Sequence, residues 1–501
     1  MKTTELLEKY YQNKKEIEAY HHILGIFSFD HQTIAPKKSI EKQNETMSII
    51  GNILYKKQMD PENINLLKEL YNRKNELNEY QKREIELSYE SYLKMINVTP
   101  ELQMEYSIAA NNGYTNWLNA KNNQDFNLFK DSLAKVIELQ QQMIASRPNQ
   151  KATLYDTILD DYEKNQTSNE LDQFFNELKT GIIALLNDIK KSKKVIKTDF
   201  LSNKVKINKQ EKFSYYLLKL IGFDLEAGVL STTEHPFTSR IADNDVRLTT
   251  HYYENMFVSN IFSTIHEGGH AIFGQNEPEI LSKYFVNNNM SAAMHECISR
   301  MYENMVARSE EFIHTIYPKF HTLFKAEFPD VTEKELYEGI NTVEPSLIRI
   351  EADELTYCLH IIIRYEIEKE LLNGRINVLE AKELWNKKYQ EYLGVTPKND
   401  SEGILQDVHW SDGSFGYFPS YALGNVYAAQ IFNKMQKEID ILSLIKQGKV
   451  TKVKEWLTQN VFNKASMLDP KEWIVSITGE PLNTKYYLDY LNEKYRKLYE
   501  I

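Results

Sequence analysis

Apolar residues recur every three or four positions through most of this chain, the period of a helix that buries one face. From residue 1 to about 200 the pattern reads as successive amphipathic helices, with few Gly or Pro interruptions, no low-complexity linker and no internal repeat of fixed period. Leu178, Ile182, Leu185, Leu186 and Ile189 mark one such face. Phe257, Val258, Ile261, Phe262 and Ile265 mark another, apolar enough to predict a largely buried helix. The period changes once. Val246, Leu248 and Thr250 alternate with Asp245, Arg247 and Thr249 after the turn-forming Ala242-Asp243-Asn244-Asp245, which predicts a short β-hairpin between Thr238 and His251. Helices return from Phe257 to the end, broken by the aromatic, glycine-containing loop from Gly413 to Tyr421. The expectation is a mainly α fold with a small β-hairpin or sheet. It forms one domain over residues 1–501, with 1–200 as a helical N-terminal part and 201–501 carrying the chemistry.

Composition agrees with that picture. Only 18 Gly and 13 Pro in 501 residues disfavour a many-turned β architecture. Apolar residues make up 42%, enough for a large core, yet no run of about 18 of them appears, so no membrane span is expected. A formal charge of −11 argues against nucleic acid as a partner. The basic run Lys190 to Lys197 closes the helix of Leu178 and Ile189, where lysines complement the helix dipole. The first residues are charged and amphipathic, without the apolar core of a signal peptide, which predicts a cytoplasmic protein. Cys297 and Cys358 make no disulfide framework.

The candidate chemistry begins at His266-Glu267-Gly268-Gly269-His270, an H-E-x-x-H motif inside the predicted buried helix. Residues four apart share a helix face, so His266 and His270 can reach one metal while Glu267 handles a water molecule. A motif this short also arises by chance on solvated helices. The buried setting favours the metal, because two imidazoles and a carboxylate are costly there without a shared partner. Gly268 and Gly269 each cost about 1 kcal/mol against alanine in a helix. Their expected role is to leave a bare backbone that lets another segment approach the metal closely. The hairpin just ahead suits an edge strand pairing with an extended substrate.

A catalytic zinc takes three protein ligands and keeps one position open. Phe273 and Asn276 occupy the positions where a metzincin carries Gly and His, which excludes that layout. A Glu on a later helix is the alternative: Glu296 is the choice, with Glu303 two turns on as competitor.

Further segments give the motif company: His235-Pro236-Phe237, Asp245-Val246-Arg247-Leu248-Thr249, His295-Glu296, Ile348-Arg349-Ile350-Glu351-Ala352-Asp353, and Gly403-Ile404-Leu405-Gln406-Asp407-Val408-His409-Trp410. In this order, with matching stretches at Phe29 to Thr33, Tyr155 to Asp160 and Gly479 to Asn483, the chain resembles the M32 (carboxypeptidase Taq) family of metallocarboxypeptidases along its whole length. It departs from the family pattern at Cys297, where Ser is common, and at Phe29-Asp30-His31, where a Trp-Asp-Gln segment is common. The resemblance implies Glu296 as third ligand, in agreement with the choice above. It also implies a helical, saddle-like zinc-peptidase fold with a deep groove, a homodimer, and broad choice of C-terminal residue.

The expected reaction releases single C-terminal residues from peptides, with Glu267 taking a proton from a metal-activated water and giving it to the leaving amine. Zinc is the expected metal, with cobalt or manganese as substitutes. Tyr421, Tyr417 or His409 is the expected oxyanion donor, in an order the sequence leaves open. The terminal carboxylate of the substrate calls for a guanidinium fork, for which Arg349 is preferred to Arg247. The competing reading of Arg349 is an ion pair with Asp353, four residues on along a helix. His235 and Gln406 are candidate groove residues. The alternatives are a zinc endo- or oligopeptidase using the same residues, and a non-catalytic peptide-binding scaffold.

Overall fold

The computed structural model describes residues 1–287 and 289–501, and the mainly α expectation holds: helices carry most of the chain and one three-stranded sheet interrupts them. Helices α1 (Thr3–Thr33), α2 (Ser168–Ile189) and α3 (Ile207–Ile221) come before the sheet in the chain and α4 (Phe257–Asn276) comes after it; α1 and α4 pack on its strands. Helix α5 (Ala292–Arg300) packs against α4, α7 (Phe418–Glu438) packs against α5, and α6 (Tyr357–Leu372) packs against α7. Helix α2 shows how the local rules operate. Thr167 and Glu170 cap its first turn reciprocally, and its apolar face from Leu178 to Ile189 is buried. The basic run beyond it forms ion pairs, Lys191 with Asp188, Lys194 with Glu338 and Glu500, and Lys197 with Glu335.

The predicted hairpin forms as β2 (Thr238–Ala242) against β3 (Asp245–Thr250), with a register shift between Arg240 and Ala242. A third strand, β1 (Gly228–Thr232), was not expected; it pairs in parallel with β3, so the order is β1-β3-β2. Its sequence, Gly-Val-Leu-Ser-Thr, carries no alternation of apolar and polar residues, the signal on which the hairpin rested. The alternating strand β3 is therefore central, and the edges open to an extended peptide are β1 and β2.

One large hydrophobic cluster extends from Trp117 to Tyr499, and a smaller one joins Leu6, Leu7, Tyr10, Leu66, Leu67, Leu70 and Ile85 among the N-terminal helices. Helix α4 lies in the large cluster, where Phe257 packs among Phe320, Phe324 and Phe328. A buried polar network holds its other side. Asn260 Nδ2 donates to Thr250 Oγ1 at 3.1 Å, and the Thr264 hydroxyl meets those of Thr250 and Ser214, tying α4 to the end of β3 and to α3. Such a network fixes the helix in one register, because any slip leaves buried donors without acceptors. Among the described residues no helix is long and apolar enough to cross a membrane.

Candidate metal centre and active site

His266 and His270 project from one face of α4, and Glu296 meets them from α5. His266 Nε2 lies 3.7 Å and His270 Nε2 3.4 Å from Glu296 Oε2. One ligand atom from each residue fits within 4.8 Å of the others. Donors bonded tetrahedrally at about 2.1 Å stand about 3.4 Å apart, so this spacing suits one small ion.

The outward ring atoms agree. His266 Nδ1 donates to Glu303 Oε2 at 2.8 Å, and His270 Nδ1 lies 2.5 Å from His295 Nδ1. Protons held on both Nδ1 atoms leave both Nε2 lone pairs facing Glu296, the arrangement a ligating imidazole needs. His295 accepts in its neutral form: burial, then the neighbouring His270, pushes its pKa down to about 3. Burial also opposes charge on His266, but Glu296 and Glu303 outweigh it and raise its pKa. On Glu296 and Glu303 burial works against ionisation too, yet Arg300 and His266 hold both carboxyls low. The donor set thus favours an added positive charge at its centre. Glu303, the competing ligand, instead stands behind His266. It follows α5 within a π-helical segment, Met301–Ala307.

Three glycines let the helices close around this centre. A Cβ on Gly269 would lie 2.8 Å from the Cα of Ser299 on α5, and one on Gly424 of α7 would lie 2.7 Å from Glu296 Cγ. Gly268 faces Leu218 and Ile221 of α3. The segment expected to need a bare backbone at Gly269 is therefore the helix of Glu296 itself.

Glu267 is buried beside the triad, and the hydroxyl of Thr238 on β2 donates to its Oε2 at 2.7 Å. That bond fixes where the carboxylate points.

A second cluster gathers Arg349, Gln406, His409, Tyr417 and Tyr421. Arg349 does not pair with Asp353. It sits in a single 3₁₀ turn, Arg349–Glu351, followed by extended Ala352, so a spacing of four residues brings no contact. Asp353 instead accepts from Thr356, and Arg349 turns to Asp407, with Nε at 2.9 Å and Nη2 at 2.7 Å from Oδ1. Arg364 Nε meets the other oxygen of Asp407 at 2.5 Å. Burial opposes ionisation of Asp407, but the two guanidinium groups hold its carboxyl well below the usual range. Gln406 serves this cluster, its Oε1 accepting from Arg349 N and Arg364 Nη2. Arg349 Nη1 lies 3.3 Å from the Tyr357 hydroxyl, and the guanidinium keeps further N–H donors for a ligand.

Tyr421 and Tyr417 lie with ring centres 5.1 Å apart, and His409 Nε2 is 3.3 Å from the Tyr421 hydroxyl. Burial pushes the Tyr417 phenol up to about 12 and that of Tyr421 well above its usual range, so both stay donors. Burial pulls His409 down to about 4, and its Nδ1 is buried with no partner among the described residues. Glu296 raises the pKa of both phenols, which puts this cluster in electrostatic reach of the triad.

Among the described residues, Arg247 and His235 share no hydrogen bond with the triad or with the Arg349 cluster. Arg247 pairs side-on with Asp245 and lies over the ring of Phe29 in α1. Strand alternation turns it away from Val246 and Leu248, the β3 residues buried in the core that α4 shares. His235 is exposed just before β2. The residues the sequence reading passed over are Arg300, Thr238, Asp407, Arg364 and Tyr357. Arg300, one helical turn after Glu296, was the one reachable by spacing alone.

Comparison with known proteins agrees along the chain. The profile of the carboxypeptidase Taq (M32) metallopeptidase family matches residues 9–495. Carboxypeptidase 1 of Bacillus subtilis (strain 168) is 38% identical over 493 residues, 98% of either chain. Thermostable carboxypeptidase 1 of Thermus thermophilus is 34% identical over 507 residues, covering 98% of this chain and 99% of that one. The crystal structure of the M32 carboxypeptidase from Deinococcus radiodurans R1 superposes with a TM-score of 0.95 at 29% identity, covering 99% of this chain and all of the other.

Proposed function

The chain belongs to the carboxypeptidase Taq (M32) family of metallopeptidases, and we propose that it releases single C-terminal residues from peptides, with His266, His270 and Glu296 holding zinc. The observation that carries the reading is the convergence of two imidazole nitrogens and a carboxylate oxygen within 4.8 Å, beside a buried fourth residue, Glu267, free of the triad. Cobalt or manganese would suit the same donors, the order of intrinsic affinity favouring zinc over both.

A divalent cation there supplies Lewis acidity, lowering the pKa of water towards about 7 and polarising a carbonyl. Glu267 takes the proton of the attacking water and hands it to the leaving amine, and Thr238 keeps its carboxylate aimed for both transfers. The Tyr421 hydroxyl, with Tyr417 and His409 beside it, donates to the developing oxyanion; their raised phenol pKa values keep the protons in place for that task. Arg349 receives the terminal carboxylate through N–H groups that Asp407 and Tyr357 leave free, and Gln406 Oε1 supports Arg349 by accepting from its backbone N–H. Arg247 and His235 are assigned no contact with the reacting end of the peptide. The chain acts as one domain and, by family likeness, as a homodimer, which light scattering would test.

The deciding assay follows by mass the products from an unblocked peptide and its C-terminally amidated twin, with the metal-loaded protein and its Glu267→Gln variant. Stepwise loss of single residues from the free acid alone, abolished in the variant, is expected. Internal cuts in both peptides would replace the carboxypeptidase with an oligopeptidase.

A further inference from the structure

Arg300 touches neither imidazole, yet it grips both carboxylates that serve them. Its Nε donates to Glu296 Oε1 at 2.7 Å and its Nη1 to Glu303 Oε2 at 3.1 Å, while the guanidinium lies 4.0 Å from the centre of the Tyr357 ring. The side chain is 11% exposed, so water competes little for these bonds. Glu296 stands one turn before it and Glu303 three residues after, across the junction where α-helix passes into π-helix.

We propose that Arg300 is a positioning residue for metal binding: it engages Oε1 of Glu296 so that only Oε2 faces the imidazoles, and it holds Glu303 behind His266. The inference rests on the metal site proposed above. A carboxylate anchored through one oxygen ligates through the other alone, which keeps room at the ion for water and substrate. The fork of a guanidinium suits this task, since one planar group must reach two acids at once.

Two physical effects of Arg300 have opposite signs, and that makes the proposal testable. As a bare cation it repels the metal, so by Coulomb repulsion alone its removal tightens binding. As a positioning residue its removal loosens binding, by about 10–100-fold, the usual cost of losing an outer partner of a ligand.

The experiment measures affinity for Zn²⁺ and Co²⁺ by competition with a chelating dye, and the visible spectrum of the cobalt form, for the full-length protein, Arg300→Gln and Arg300→Lys. The expected result is a 10–100-fold loss in Arg300→Gln with an altered cobalt spectrum, and a smaller loss in Arg300→Lys. Unchanged or tighter binding with an unchanged spectrum overturns the proposal. Near-ultraviolet circular dichroism of the metal-free proteins checks the fold. Should Arg300→Gln not fold, Arg300→Lys decides: it keeps the charge but cannot fork, so wild-type affinity and spectrum in it overturn the proposal. Failure of the unaltered protein to bind either metal overturns the metal site itself and this inference with it.

Discussion

Replacing Gly269 by alanine tests whether helix contact sets the position of the third ligand. The new Cβ would stand 2.8 Å from Ser299 Cα and 3.2 Å from both Ser299 N and the Ile298 carbonyl oxygen. All three are backbone atoms of α5, so the helix must retreat by about 0.7 Å to reach a comfortable carbon–carbon separation. Glu296 lies three residues before Ser299 on the same helix and shares that movement. Metal–ligand distances tolerate only about 0.2 Å, so a loss of about 10–100-fold in affinity is expected, or about 1.4–2.7 kcal/mol. Stability should suffer less. Overpacking costs about 1–3 kcal/mol and the better helix propensity of alanine offsets about 1 kcal/mol, leaving a net loss of about 0–2 kcal/mol.

Gly268→Ala is the matched control. Its Cβ meets Ile221 Cδ1 at 2.6 Å and Leu218 Cδ2 at 3.0 Å, the tips of side chains that can turn aside. Chelator competition on both variants, with urea unfolding of the metal-free proteins, separates the two effects. Wild-type metal affinity in Gly269→Ala, or an equal loss in Gly268→Ala, would refute the claim that the Gly269 contact with α5 places Glu296.

Buried Glu368 accepts from Tyr155, Trp410 and the Gly416 N–H, and burial raises its pKa from 4.5 to about 8. The folded state therefore binds this proton more tightly than the unfolded one. Its stabilising effect is full below pH 4.5 and fades as pH rises towards 8, by at most about 1.4 kcal/mol per unit. Urea unfolding between pH 5 and 8 should show that slope and Glu368→Gln should flatten it; an unchanged slope would discard the assignment. Arg349→Lys should cost the free-acid peptide about 2–5 kcal/mol in kcat/KM and should weaken binding of the free acid more than binding of its amidated twin, measured as competing inhibitors; equal weakening of both would mean a structural role only. Because His266 has a raised pKa, zinc binding at pH 6 should release a proton, read by calorimetry in buffers of different ionisation heat. No release at pH 6 would contradict the ligand role of His266.

The helices and the first two ligands were legible because their information is local. A period of 3.6 residues and a spacing of four are properties of one segment, and α4 displays both. Local reasoning failed where the chain left the helix it assumed. Arg349 was weighed against Asp353 on helical spacing, but a single 3₁₀ turn points it to Asp407, 58 residues away. Thr238 and Glu267 are 29 residues apart, joined only because β2 folds beside α4. Strand β1 lacked a periodic signal and gains its place from β3. Glu296 was an intermediate case: the motif demanded a third donor, the next helix offered Glu296 with Glu303 as competitor, the resemblance agreed on Glu296, and α5 brings that residue to the imidazoles.

What no single segment could carry is the charge balance. Glu296 and Glu303 bring two carboxylates into one largely buried region, where Arg300 reaches both and Arg308 lies 3.8 Å from Glu303. Burial still makes each carboxylate costly to ionise. His266 partly answers it by holding a proton more tightly than burial alone would permit. A divalent ion answers it fully and lets both imidazoles stay neutral, as ligands must be. The electrostatics of these residues therefore suit a cation between the imidazoles and Glu296, in line with the donor geometry and the family match.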